Sequence, residues 1–206
     1  MGYYAGDFDR FLESPYAIIG PRESGKTTIL KRVLSLAYEQ GYTIAVFDSC
    51  TDHKEKSILI HAKENYPDAV YIPSPEKKEI LNMYAIPDFK KGFYPTSIID
   101  KKHDKRIFLF DVAKYLEEGY DTEDLEERAR IRLYYRCLVR QELYAFAYYM
   151  LSKKILIIMD EIELLDTMFE IINTLYHNNK PILLALHSEV ALSGLKPFFE
   201  VMHLGE

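Results

Sequence analysis

Tyr16-Ala17-Ile18-Ile19-Gly20-Pro21-Arg22-Glu23-Ser24-Gly25-Lys26-Thr27-Thr28 carries a short apolar run into Gly20-x-x-x-x-Gly25-Lys26-Thr27, and Ile29-Leu30-Lys31-Arg32-Val33-Leu34 follows before Gly41. A buried strand, a glycine-rich turn and a helix in that order form a phosphate-cradling loop. A triphosphate brings several negative charges into one place. The loop answers with backbone N–H donors and the positive end of a helix dipole. Gly20 and Gly25, lacking a Cβ, permit the turns that aim those amides. Lys26 is expected to reach the β- and γ-phosphates, Thr27 to set its hydroxyl on Mg2+, and Thr28 to approach the α-phosphate or cap the turn. Pro21, Arg22, Glu23 and Ser24 complete the nucleotide-binding loop, Arg22 and Glu23 having more the character of solvated positions.

A phosphate loop alone does not say whether a triphosphate is hydrolysed, transferred or sensed; a carboxylate for the metal on a neighbouring strand is the next requirement. Ile155-Leu156-Ile157-Ile158-Met159 has the continuous apolar character of a central parallel strand and ends in Asp160-Glu161. Asp160 is expected to hold magnesium and Glu161 to orient and deprotonate an attacking water. Acidic residues in this place also suit a helix N-terminus. A carboxylate directly after the metal-binding Asp favours hydrolysis over transfer. No Asn/Thr-Lys-x-Asp guanine reader is present, so ATP is the expected nucleotide.

The chain has 206 residues, 48% of them hydrophobic, enough for one packed domain over 1–206 and too few for two ordinary ones. Its start lacks the basic and apolar segments of a secretion signal, and no run approaches a membrane span. Cys50 and Cys137 offer no disulfide framework, which points to an intracellular, cytoplasmic setting. A net charge of −6 argues against a surface that coats nucleic acid, without excluding local patches.

Five apolar stretches read as strands: 16–20, 43–48, 106–111, 155–160 and 181–186, with a further edge strand over 69–72. Four of the five end in Gly or Asp and the fifth runs directly into His187, and the carboxyl ends of parallel strands are where open α/β sheets bind ligands. Asp48 and Asp111 there are either helix caps or aids to magnesium and water. His187 is a candidate catalytic residue sensing the γ-phosphate, or a strand-end histidine satisfied by backbone.

Two segments bear on partners. Residues 121–151 read as one long helix opened by Asp121 and Asp124, with Arg128, Arg132, Arg136 and Arg140 at every fourth position. That stripe either pairs with Glu123, Glu126 and Glu127 in solvent or reaches a neighbouring subunit's γ-phosphate or a phosphodiester backbone. Over 88–106, cations interleave with aromatics, a mixture that suits nucleic acid as well as a solvated loop.

With the loop, the Asp160-Glu161 strand and an extra strand between them, the chain resembles an additional-strand P-loop ATPase of RecA-like architecture. Within that class it is most similar to the FtsK/HerA branch, which includes DNA translocases and viral genome-packaging ATPases. The likeness rests on Ala45-Val46-Phe47-Asp48, Arg106-Ile107-Phe108-Leu109-Phe110-Asp111 and Ile157-Ile158-Met159-Asp160-Glu161, followed by Lys180-Pro181-Ile182-Leu183-Leu184-Ala185-Leu186-His187-Ser188. It implies a three-layer α/β P-loop NTPase fold with a mainly parallel five-stranded core sheet in the order 5-1-4-3-2. It further implies an ATP- and Mg2+-dependent motor that works on double-stranded DNA as a homo-oligomeric ring, possible also in a virus-infected cell. His187-Ser188 departs from that branch's usual Thr-Gln. Asp160-Glu161-Ile162-Glu163-Leu164 is also similar to a stand-alone nucleoside-triphosphatase motif, with Glu163 in place of its glycine; a regulatory ATPase acting on a protein partner is the third alternative.

Overall fold

In the computed structural model of the chain, the residues described are 8–49, 57–72, 104–112, 124–126, 128–129, 154–161 and 169–205. Apolar runs too short for helices and too continuous for a half-solvated sheet become strands buried on both faces. These are β1 (Tyr16–Ile19), β2 (Thr43–Asp48), β4 (Ile107–Asp111), β5 (Ile155–Asp160) and β6 (Ile182–Leu186), joined by the short β3 (Val70–Tyr71) and by β7 (Glu200–His203). They form one sheet of seven strands in the order β3-β4-β2-β5-β6-β1-β7. Every ladder in it is parallel.

Side-chain alternation along each strand divides the interior into two cores. On β2, Ile44 and Val46 face one layer while Ala45 and Phe47 face the other. The first layer is covered by α1 (Lys26–Glu39) and α2 (Ile58–Asn65), with a single 3-10 turn at Asp9–Leu12. In α1 the buried positions Ile29, Leu30, Val33, Leu34 and Ala37 recur at helical spacing and so form one stripe. The second layer is covered by α3 (Phe169–His177), through Ile172 and Leu175, and by a 3-10 stretch over Glu189–Phe198 that contributes Leu192 and Leu195. Helix, sheet and helix therefore stack in three layers, the class expected from the sequence. Among the described residues no helix is long and apolar enough to cross a membrane.

Two details of the sheet differ from the five-strand expectation. β7 is a strand the pattern did not suggest, and the 106–111 stretch lies outside β2 rather than within the core order. When β1, β2, β5, β6 and β7 are numbered one to five, the sheet reads 5-1-4-3-2, with β4 and β3 added beyond β2. β4 is placed there by its cross-strand partners: Phe47 stacks on Phe110 with ring centroids 4.4 Å apart and planes 4° from parallel. Arg106, just ahead of β4, lies over the Tyr38 ring at 4.3 Å and donates from Nη2 to Tyr38 O at 2.5 Å and Tyr42 O at 3.1 Å. The start of β4 is thereby pinned to the end of α1. The edge strand expected over 69–72 is present as β3.

α1 ends as its sequence requires. Gly41 adopts φ +86°, and the Tyr42 N–H reaches back to Ala37 O at 2.9 Å, the paired signature of a glycine-terminated helix. Of the expected 121–151 helix, the described portion shows Asp124 Oδ1 accepting from the Glu126 N–H at 2.8 Å. Arg132, Arg136, Arg140 and the apolar half to Leu151 lie outside the described residues, as do 88–103, Cys50 and Cys137.

Phe47 is fully buried within the second core, against Phe110 of β4. Phe47→Ala is expected to lower unfolding free energy by about 3–5 kcal/mol, read from the midpoint of a urea titration with an unchanged slope.

Candidate nucleotide site at the strand ends

The loop between β1 and α1 has two glycine requirements of different kinds. Gly25 sits at φ +97°, a left-handed conformation in which a side chain would be strained. Gly20 is needed for space: a Cβ there would fall 2.7 Å from Ser24 Oγ and 2.8 Å from Leu204 O. The crowding arises because the Gly20 N–H donates to Leu186 O at 3.1 Å while the Leu204 N–H donates to Ile19 O at 2.8 Å. The loop root is thus wedged between the exits of β6 and β7. Pro21, Arg22 and Glu23 are exposed, as solvated loop positions should be, and Ser24 is half-buried.

Helix α1 begins at Lys26, and its N-cap Gly25 brings no side-chain acceptor, so no side chain caps the first-turn amides there. Such a helix start suits an anion. Lys26 is 5% exposed, unusual for a lysine. Its Nζ donates to Gly20 O at 2.7 Å and Pro21 O at 2.8 Å, and lies 3.5 Å from His187 Nδ1. Thr27 turns toward the sheet and its Oγ1 donates to Asp160 Oδ2 at 3.1 Å. Thr28, the next residue, is exposed.

Asp160 closes β5 and is 3% exposed. Burial, followed by the neighbouring Glu161 charge, pushes its carboxyl up from 3.8 to about 6, against the lowering effects of the Thr27 hydrogen bond, Lys26 and Lys31. Its negative charge is therefore under-compensated by the protein alone. A hard divalent cation would offset that charge, and the available donors, a carboxylate and a hydroxyl, are the oxygen ligands Mg2+ takes. Asp160 and Thr27 fit the metal on these grounds. Asp48 and Asp111 stand in register with Asp160 at the ends of β2 and β4. Even so, no group of three or more His, Cys, Asp or Glu that could hold a metal occurs among the described residues.

Glu161 leaves the strand at φ +58°, and its carboxylate Oε1 is 2.9 Å from His187 Nε2. With Lys26 donating toward Nδ1 and Glu161 accepting from Nε2, both neighbours of His187 favour the tautomer protonated at Nε2. The structure therefore brings Lys26, Thr27, Asp160, Glu161 and His187 together at the carboxyl ends of β1, β5 and β6. Sequence reasoning missed two participants. Leu204, just past β7, presses its carbonyl on Gly20, and Ser49, just past β2, donates from Oγ to Glu161 O at 2.5 Å. A hydroxyl directly after the strand-ending Asp48 was the available signal for the latter.

No protein-family profile matches the chain, and no curated protein matches it. Among solved structures it is similar to the genome packaging NTPase B204 from Sulfolobus turreted icosahedral virus 2 in complex with ATP-gammaS. Identity is 10% and the TM-score 0.42, over 86% of this chain and 66% of that one, just under two thirds of the neighbour's length.

Because the folded state raises the carboxyl of Asp160 above its unfolded value, ionising it opposes folding; the penalty is absent below about pH 4 and complete above about pH 6. Asp160→Asn, measured without nucleotide or metal, should raise the melting temperature at pH 7.5. That gain should shrink steadily as melts are repeated from pH 6 down to pH 4.

Proposed function

We propose that the chain is an ATP-hydrolysing, Mg2+-dependent P-loop motor, a single nucleotide-binding domain over residues 1–206 that acts on double-stranded DNA in translocation or genome packaging. The observation that carries the hydrolytic part is the convergence of a buried lysine, a hydroxyl bonded to a buried carboxylate, and a second carboxylate at one rim of a parallel sheet. The DNA part rests on the sequence resemblance described above.

In this proposal the first-turn amides of α1 and the loop amides bind the phosphates, with Pro21 to Ser24 flanking them and Thr28 facing the α-phosphate. Lys26 stabilises charge on the β- and γ-phosphates. Thr27 and Asp160 would hold Mg2+, which would supply positive charge against the phosphate oxygens. Glu161 accepts a proton from water as that water attacks the γ-phosphorus, and the bond to the β–γ bridging oxygen breaks to release ADP and phosphate. His187 takes the role of γ-phosphate sensor, a reading supported by its nearness to both Glu161 and Lys26. An arginine from an adjoining subunit in a ring completes the charge stabilisation.

Lys26→Ala is expected to abolish nucleotide binding, whereas Glu161→Gln should bind ATP with near-normal affinity and lose turnover by a factor on the order of 100 or more. Calorimetric titration and a phosphate-release assay together check both, and equal loss of affinity in the Glu161 variant would overturn its role. Duplex DNA should stimulate phosphate release in a strongly salt-dependent manner. A rate indifferent to DNA and salt would instead mark a stand-alone triphosphatase or a protein-directed ATPase.

A further inference from the structure

Glu161 is one of three non-glycine residues in the left-handed region among those described, and the only one of the three at the end of a central strand. Such a backbone persists only where its surroundings fix it. Two torsions need fixing, and they are set by the planes of the peptide units on either side of the Glu161 Cα.

The unit before that Cα is held twice. Its N–H, belonging to Glu161, donates to Ala185 O at 3.0 Å, and its carbonyl, belonging to Asp160, accepts from the Ser49 N–H at 3.1 Å. The unit after it is held through the Glu161 carbonyl, which accepts from Ser49 Oγ at 2.5 Å; the same hydroxyl lies 3.3 Å from Asp160 O. Ser49 therefore touches both peptide planes. Two of these four contacts are backbone to backbone and two come from the Ser49 hydroxyl, which alone among them restrains the far plane. With the backbone so turned, the Glu161 side chain reaches the end of β6 and meets His187.

We propose that Ser49 is a positioning residue: its hydroxyl locks Glu161 in the left-handed conformation from which the carboxylate can work on water. This rests on the role proposed above for Glu161. Ser49 touches no reacting atom, and its effect passes entirely through the backbone of Glu161.

The test compares Ser49→Ala, Ser49→Thr and Glu161→Gln in steady-state ATP turnover, and adds melting curves of Ser49→Ala with either Glu or Gly at position 161. Ser49→Ala should lower kcat on the order of tenfold with KM for ATP nearly unchanged, and Ser49→Thr, which retains the hydroxyl, should restore it. Glycine tolerates the left-handed backbone without help. The melting temperature lost in Ser49→Ala, about 2–4 °C for a chain of this size, should therefore shrink when residue 161 is Gly. Wild-type turnover in Ser49→Ala alongside an inactive Glu161→Gln would overturn the positioning role and leave the hydrolytic site standing. An equal melting loss in both backgrounds would overturn the backbone lock. If the unmodified chain hydrolyses no ATP, the proposed function fails, and the melting comparison still decides whether Ser49 holds residue 161.

Discussion

An ammonium and a carboxylate, each almost entirely out of water, set the terms for the rest of the molecule. Lys26 and Asp160 retain only 5% and 3% of their exposure. Charges are not buried this way unless surrounding dipoles and donors compensate them. For Lys26 the compensation is local, from the carbonyls of its own loop. For Asp160 it is incomplete, one hydroxyl and more distant cations set against burial and the adjoining Glu161. Among the described residues the buried positions beneath the rim are apolar, so the unfavourable electrostatics are confined to one end of the sheet and carried by two continuous cores.

Strand order decides which groups meet at that end. β5 lies between β2 and β6, so the residues leaving three neighbouring strands, Ser49, Glu161 and His187, come within hydrogen-bonding reach although far apart in the chain. β1 lies on the other side of β6, and the first turn of α1 crosses back over the rim to bring Thr27 to Asp160. Ligands in open parallel sheets collect where successive connections diverge. Here that place is also where the buried charges are.

What could be read from the sequence was whatever is encoded locally. The Gly20 to Thr27 spacing names its own conformation, and Ile155 to Asp160 is too apolar to be anything but a central strand. β7 was hidden because Glu200-Val201-Met202-His203 is short, has polar residues at both ends and no fully buried position, and owes its place to the β1 ladder rather than to its composition. The strand at Ile107–Asp111 was legible, but its position was not, since the Phe47–Phe110 stack joins residues some sixty apart. Ser49 offered only its place after the strand-ending Asp48 as a signal, and its role was not legible for a related reason. A hydroxyl bonded to a backbone carbonyl just past the end of another strand leaves no periodicity, and the left-handed turn it supports falls on a residue type that gives no warning of it.

The tight seat of Gly20 beneath Leu204 has a mechanical meaning. β7 runs alongside β1 in a parallel ladder and ends against the root of the loop. A pull along β7 is therefore borne in shear by that ladder and delivered to the β1–α1 turn, the loop proposed to bind phosphates, with no intervening hinge to absorb it. Strain at the one place is strain at the other, so load and the proposed chemistry share a single joint.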